Sequence, residues 1–147
     1  VFHSLAQAIA ALHAARDLGV PVELWSAEGA AAYAGAGWFK AAIEEARDAV
    51  PGARAQAVLD CADLPGTALA SFRTGVEAVC FTGPPSIARK LADIARQSKC
   101  RLLRRRPGRA LDLRVVEDPE AACAAWLAPA RSPRPKTRAA ARRPPRR

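Results

Sequence analysis

A chain of 147 residues fits one domain able to bury about two-thirds of its unfolded surface, and its formal charge of +9 is concentrated rather than spread. Eight of the 23 Lys/Arg fall within 131–147, a stretch without acids, so residues 1–130 carry a net charge of only +1. No run approaches the roughly 18–20 apolar residues of a membrane span and none reads as a signal peptide; a soluble, cytoplasmic protein without a membrane partner is predicted.

Half of the chain is hydrophobic but only 5% is aromatic, so the core should be closely packed and aliphatic. Val1-Phe2 reads as the last part of a strand. Residues 4–18 place Leu5, Ala8, Ile9 and Leu12 at helical spacing, with Ser4 as N-cap and Gly19 as stop. "VPVELWS" (20–26) is β-favouring, with Pro21 tolerated near its start. Residues 38–50 return to helical period: Phe39, Ala42, Ile43 and Ala46 fall on one face, Glu44, Glu45 and Asp48 on the other, and Pro51-Gly52 ends the run.

"ARAQAVLD" (53–60) is the next strand. Asp63 is suited to cap a helix that has Pro65 in its first turn and Gly75 after its last. "VEAVCF" (76–81) is strand again, and Pro84-Pro85 opens a helix carrying Ile87, Leu91, Ile94 and Ala95 on one side. Strand and helix alternate, which predicts a parallel sheet, because parallel neighbours need crossover connections. The expected fold is α/β: a mostly parallel sheet of about five strands with helices on both faces, in flavodoxin- or Rossmann-like layering.

After Cys100 the rhythm changes. Arg106-Pro107-Gly108-Arg109 suits a type II turn, and Leu111, Leu113 and Val115 alternate with Asp112 and Arg114, so a hairpin or edge strand is predicted. Asp118-Pro119-Glu120 starts a last helix that should pack Trp126 and Leu127 onto the domain. The domain is placed at 1–128. Residues 129–147, with five prolines and no large apolar residue, should form a disordered basic tail.

In open parallel sheets, ligands bind beyond the carboxyl ends of the strands. Those ends carry His3 and Ser4; Ser26, Glu28 and Gly29; Asp60, Cys61 and Asp63; and Thr82 and Gly83. Helix N-termini on that side add anion-binding amides. Ser4, Asp63 and Thr82 serve equally well as caps or turn residues, and Asp60 can bind the amides of its own loop. Cys61 reads either as a nucleophile beside His3 and Asp60 or as a buried thiol.

The glycines at 29, 35 and 37 evoke a phosphate loop, but neither pattern is complete. Ala36 stands where a Walker lysine belongs, and Lys40 where the third glycine of a dinucleotide fingerprint belongs. A closely packed turn into a helix is the better reading, and no cofactor is specified. Cysteines 61, 80, 100 and 123 lack CxxC or zinc spacing, so reduced thiols and no metal are expected.

Arg104, Arg105, Arg106 and Arg109 form either an anion-binding strip or a charged guard on a sheet edge. The tail, including Arg142 and Arg143, could bind nucleic acid weakly and non-specifically through counterion release, yet has no aromatic residue for base stacking.

"SAEGAAAYAGAGWF" followed by "VLDCADLPGTALASFRTGVEAVCFTGPP" resembles a group of small α/β proteins of unassigned activity from GC-rich bacteria, over about residues 1–115. The second segment is also similar to βα repeats of TIM-barrel aldolases and phosphate-binding enzymes, a likeness that implies a buried strand between small-residue helices. The sequence thus favours a domain that binds an anionic small molecule at its strand-end loops. The alternative is a non-enzymatic interaction or regulatory module whose tail contacts nucleic acid or an acidic partner.

Overall fold

A computed structural model describes residues 1–128, so the expected tail with Arg142 and Arg143 lies outside the described residues. The order is α1 (Leu5–Leu18), β1 (Val22–Trp25), α2 (Ala30–Tyr33), α3 (Ala36–Ala49), β2 (Ala55–Asp60), α4 (Pro65–Thr74), β3 (Ala78–Cys80), α5 (Pro85–Gln97), β4 (Arg101–Leu103) and α6 (Pro119–Leu127). The strands form one parallel sheet in the order β1-β2-β3-β4. Four strands are formed among the described residues, rather than about five. Val22 to Trp25 pair with Ala55 to Val58, Leu59 and Asp60 with Val79 and Cys80, and Ala78 to Cys80 with Arg101 to Leu103.

This order corrects the expected layering. Each connection steps one strand in the same direction, and right-handed crossovers then place every helix on the same face. The helices lie side by side as α6, α1, α3, α4 and α5. Strand side chains that join them in the main core are Leu24, Ala57, Leu59, Val79 and Phe81. The opposite face holds Trp25, Val58, Ala78 and Cys80, packed with Val1 and Leu103 and with no helical residue. Arg101 Nη2 on β4 reaches Glu23 Oε1 on β1 at 3.0 Å, and Trp25 Nε1 donates to Glu23 Oε2 at 3.2 Å. Three strand spacings would separate flat outer strands by about 14 Å. The contact bridges the two outer strands across the helix-free face, and the helices cover one face of the sheet rather than both.

Small residues explain how close the helices come. Ala8, Ala11, Ala14 and Ala15 are buried along α1, which sits between α3 and α6. Phe2 and Phe39 stack with ring centroids 5.9 Å apart and supply the aromatic bulk below. The helix ends follow the sequence signals: Ser4 Oγ accepts from the Gln7 amide, Gly19 and Gly75 take φ of 67° and 81°, and Asp118 accepts from the Ala121 amide.

The segment after β4 departs most from expectation. It forms no hairpin, and Gly108 is absent from the positive-φ glycines, so the type II turn is not made. The chain crosses the carboxyl ends of the strands to the far edge of the sheet. There Val1 N donates to the Leu111 carbonyl and Leu113 N to the Val1 carbonyl at 3.0 Å, the pattern of a parallel ladder. Phe2 N in turn donates to the Trp25 carbonyl at 3.0 Å, so Val1-Phe2 extends the sheet beyond β1, as a strand end should. In α6, Cys123 is buried and Leu127 packs on the core, but Trp126 stays 44% exposed with the Arg109 guanidinium 5.3 Å above its ring.

Candidate functional site

Because the four strands run the same way, their carboxyl ends share one rim, and Asp60 lies at its centre. The Asp60 side chain is only 1% exposed. Its Oδ1 accepts from the Gly29 amide at 2.8 Å and the Ala62 amide at 2.9 Å, and its Oδ2 from Arg106 Nη1 at 2.6 Å. Arg106 Nη2 donates to the Ser26 carbonyl at 3.1 Å, and the Ser26 hydroxyl accepts from the Asp60 amide at 2.9 Å. The Arg106 guanidinium also lies 5.3 Å from the centre of the Trp25 ring. A buried carboxylate needs such compensation, and here two amides and a cation supply it.

The glycine loop is explained by the same carboxylate. Gly29, at φ 64°, turns its amide onto Asp60, so that donor is already engaged and not free for a phosphate. The short α2 fills what reads in the sequence as open loop, and Gly35, at φ 83°, leads into α3.

At the next strand end, Arg104 Nη1 donates to the Phe81 carbonyl at 2.8 Å and Nη2 to the Gly83 carbonyl at 2.7 Å, with its guanidinium 5.4 Å from the Phe81 ring centre. Thr82 is exposed and its amide donates to the Ala62 carbonyl at 2.8 Å, joining the ends of β2 and β3. Arg105 and Arg109 are exposed, as are Glu28 and Asp63.

The structure therefore joins Ser26, Gly29, Asp60 and Arg106 in one bonded cluster and places Thr82, Gly83 and Arg104 beside it. Other candidates fall elsewhere. His3 Nε2 lies 2.6 Å from Asp112 Oδ1, and no bond ties His3 to the Asp60 cluster. Ser4 is occupied as the α1 cap. Asp63 caps nothing: Leu64 is the N-cap of α4, and Thr67 Oγ1 donates to its carbonyl at 2.8 Å.

Cys61 faces the helices. Strand alternation puts its side chain in the main core, opposite the Asp60 carboxylate, with Sγ 3.7 Å from Ser71 Oγ. Burial pushes its thiol above the ordinary value despite the hydrogen bonds from Ser71 and Thr67. A Cys61/His3/Asp60 catalytic set is not assembled. Burial also raises the other thiols, Cys80 and Cys100 each to about 11.

A second polar cluster escaped the sequence reading. Glu77, before β3, accepts Arg47 Nη2 at 2.8 Å and the Ala57 amide, and so pins α3 to the sheet at the opposite end of the strands. A lone glutamate ahead of an apolar strand and an arginine on a solvated helix face give no signal of this contact. No protein-family model matches the chain, and no curated protein matches it.

Proposed function

We propose that the protein binds an anionic small molecule at the rim made by the carboxyl ends of β1, β2 and β3. The observation that supports this best is the course of Arg104, Arg105 and Arg106 over those ends. Arg106 meets the charge of Asp60, so the one buried carboxylate of the rim is balanced. Arg104 is held by two carbonyls at the end of β3, and Arg105 is exposed beside them. Helices α3, α4 and α5 all begin on this side, each after a strand, so their first-turn amides and dipoles favour negative charge there. A phosphate or carboxylate group would be met by Arg105 and those amides, with Thr82 as a hydroxyl donor.

The test is calorimetric titration of the full chain with inorganic phosphate and with a sugar phosphate. Arg105→Ala should weaken binding about tenfold, the order expected for one charge-assisted hydrogen bond. A chain ending at residue 128 should bind as well as the full chain. Unaltered affinity in Arg105→Ala would refute the rim as the site.

The eight Lys/Arg of 131–147 favour a second reading, an interaction module whose tail contacts nucleic acid or an acidic partner. Under it, removal of residues 129–147 abolishes association, and affinity falls steeply with salt.

A further inference from the structure

β4 is the outermost strand of the sheet, with β3 on one side and α5 packed against it. The Arg101 amide donates to the Glu77 carbonyl at 2.9 Å, and the Leu103 carbonyl accepts from the Phe81 amide at 2.9 Å. By strand alternation the amide and carbonyl of Leu102, between them, point away from β3. The Cys100 carbonyl and the Arg104 amide point the same way. Among the described residues no hydrogen bond uses any of these four groups. Beyond Arg104 the chain turns over the rim and reaches the far side of the sheet, where Leu113 meets Val1.

Charge decides what can pair there. Residues 99–105 hold Lys99, Arg101, Arg104 and Arg105 and no acid. Arg104 is turned back onto the Phe81 and Gly83 carbonyls. Lys99 is exposed, and the Arg101 side chain stays 46% exposed even with its bond to Glu23. A second copy pairing edge to edge would bring two such sets of cations together, the means by which exposed edges resist self-association. The same charges select a strand that carries acids.

We propose that the β4 edge receives an extended acidic segment of a partner protein as an added antiparallel strand centred on Leu102. Antiparallel pairing is the stronger of the two per residue. The central residue of the segment exchanges both bonds with Leu102: its carbonyl accepts from the Leu102 amide, and its amide donates to the Leu102 carbonyl. Two residues earlier, a carbonyl accepts from the Arg104 amide. Two residues later, an amide donates to the Cys100 carbonyl.

Side-chain preference follows from the pleat. The central side chain shares the helix-facing side with Leu102, which packs on the main core, and should be apolar and β-branched. The next residue lies opposite Arg101 on the helix-free side and should be acidic. The one after it lies opposite Cys100, beside Lys99, and should be acidic as well. Main-chain bonds give affinity, and the carboxylates give selectivity.

The probe is acetyl-Thr-Thr-Val-Glu-Glu-amide, titrated into the full chain while amide exchange is followed by NMR. Saturable binding with slowed exchange of the Leu102 and Arg104 amides is expected. N-methylation of the valine removes the donor to the Leu102 carbonyl and should weaken binding about tenfold. Acetyl-Thr-Thr-Val-Lys-Lys-amide should bind more weakly by about the same factor, because it sets like charges opposite each other. Arg101→Glu should favour acetyl-Thr-Thr-Val-Lys-Glu-amide over the first peptide, a reversal that general attraction to a basic chain would not produce. Absent saturation, an unchanged Leu102 exchange rate, equal binding of the N-methylated or dilysine peptide, or a preference untouched by Arg101→Glu would each overturn the proposal. So would a dimer, seen by sedimentation, that slows the Leu102 amide without peptide, since the edge would then belong to a second copy.

Discussion

Arg106 and Asp60 stand 46 residues apart in sequence and 2.6 Å apart in space, one on the loop after β4 and the other at the buried end of β2. The pair does two things at once. It neutralises a carboxylate that is 1% exposed, and it draws the loop across the rim, where Arg106 also bonds the Ser26 carbonyl.

Arg106→Ala should therefore destabilise the fold by about 2–4 kcal/mol, since it strands a buried charge with only its two amide donors. Asp60→Asn should cost less, because its side-chain oxygen can still accept from Gly29 and Ala62. The double variant should be less unstable than the sum of the two by about 1 kcal/mol or more. Urea denaturation of the four proteins measures this coupling. Additive losses would mean that the two side chains act independently.

Gly83 is fixed by space. A Cβ at this position would lie 2.4 Å from Phe81 Cζ, and the Phe81 ring is fully buried. Gly83→Ala forces the ring off its rotamer or the loop off Arg104, at a cost of about 1–3 kcal/mol. Phe81→Leu alone is destabilising, but adding Gly83→Ala to it should cost markedly less than in the parent. Thermal melts of the four combinations decide the matter; an equal cost in both backgrounds would place the strain elsewhere.

Much of this arrangement is legible in the chain, and the gaps have physical causes. The alternation of strand and helix from Val22 to Leu103 implied parallel pairing, and Ser4, Gly19, Gly75 and Asp118 marked helix ends because caps are local chemistry. The single-sided helix layer was signalled more faintly. Val22-Glu23-Leu24 and Ala55-Gln56-Ala57 alternate, whereas strands covered on both faces read as continuous apolar runs. Glu23, Gln56 and Arg101 therefore already argued against helices on both faces. The rim cluster was half legible. Ser26, Gly29 and Asp60 followed from the rule that strand ends carry the site, but no local pattern links Asp60 to Arg106, which meets it only after the chain crosses the sheet. His3 and Cys61 lie apart from the cluster, Cys61 as the buried thiol that was one of its two readings, because proximity in sequence to a strand end does not say which face a side chain takes.

The four cysteines yield a prediction about reactivity. All are free and buried, and burial raises every thiol above its ordinary value, Cys80 and Cys100 to about 11. The thiolate is the reactive form, so at about pH 8 the folded protein should react with a disulfide reagent far more slowly than a free thiol. In denaturant all four should titrate at once. Colorimetric counting of thiols before and after unfolding tests this; rapid reaction of a cysteine in the folded state would reveal an opening of the core.

Asp112 links the far edge of the sheet to the α1 end of the rim. Its carboxylate lies 2.6 Å from His3 Nε2 and accepts from the Arg114 amide at 3.0 Å, next to the Leu111 and Leu113 backbone that pairs with Val1. Burial pushes its carboxyl upward, but the Arg114 amide and the His3 ring outweigh it, and the group sits below the ordinary carboxylate value. A folded-state value below the unfolded one means that the stabilisation is present above the unfolded value and is lost as pH falls through the folded one. The window is thus at and below about pH 4. With a side chain 53% exposed, the contribution is screened, and Asp112→Asn should cost no more than about 1 kcal/mol at neutral pH. Parent and variant should then converge in stability as the pH is lowered from neutral toward about 2 and Asp112 takes up its proton. Urea midpoints measured at both ends of that range give the answer: a gap between the two proteins that persists in acid would show that Asp112 acts through shape and not through charge.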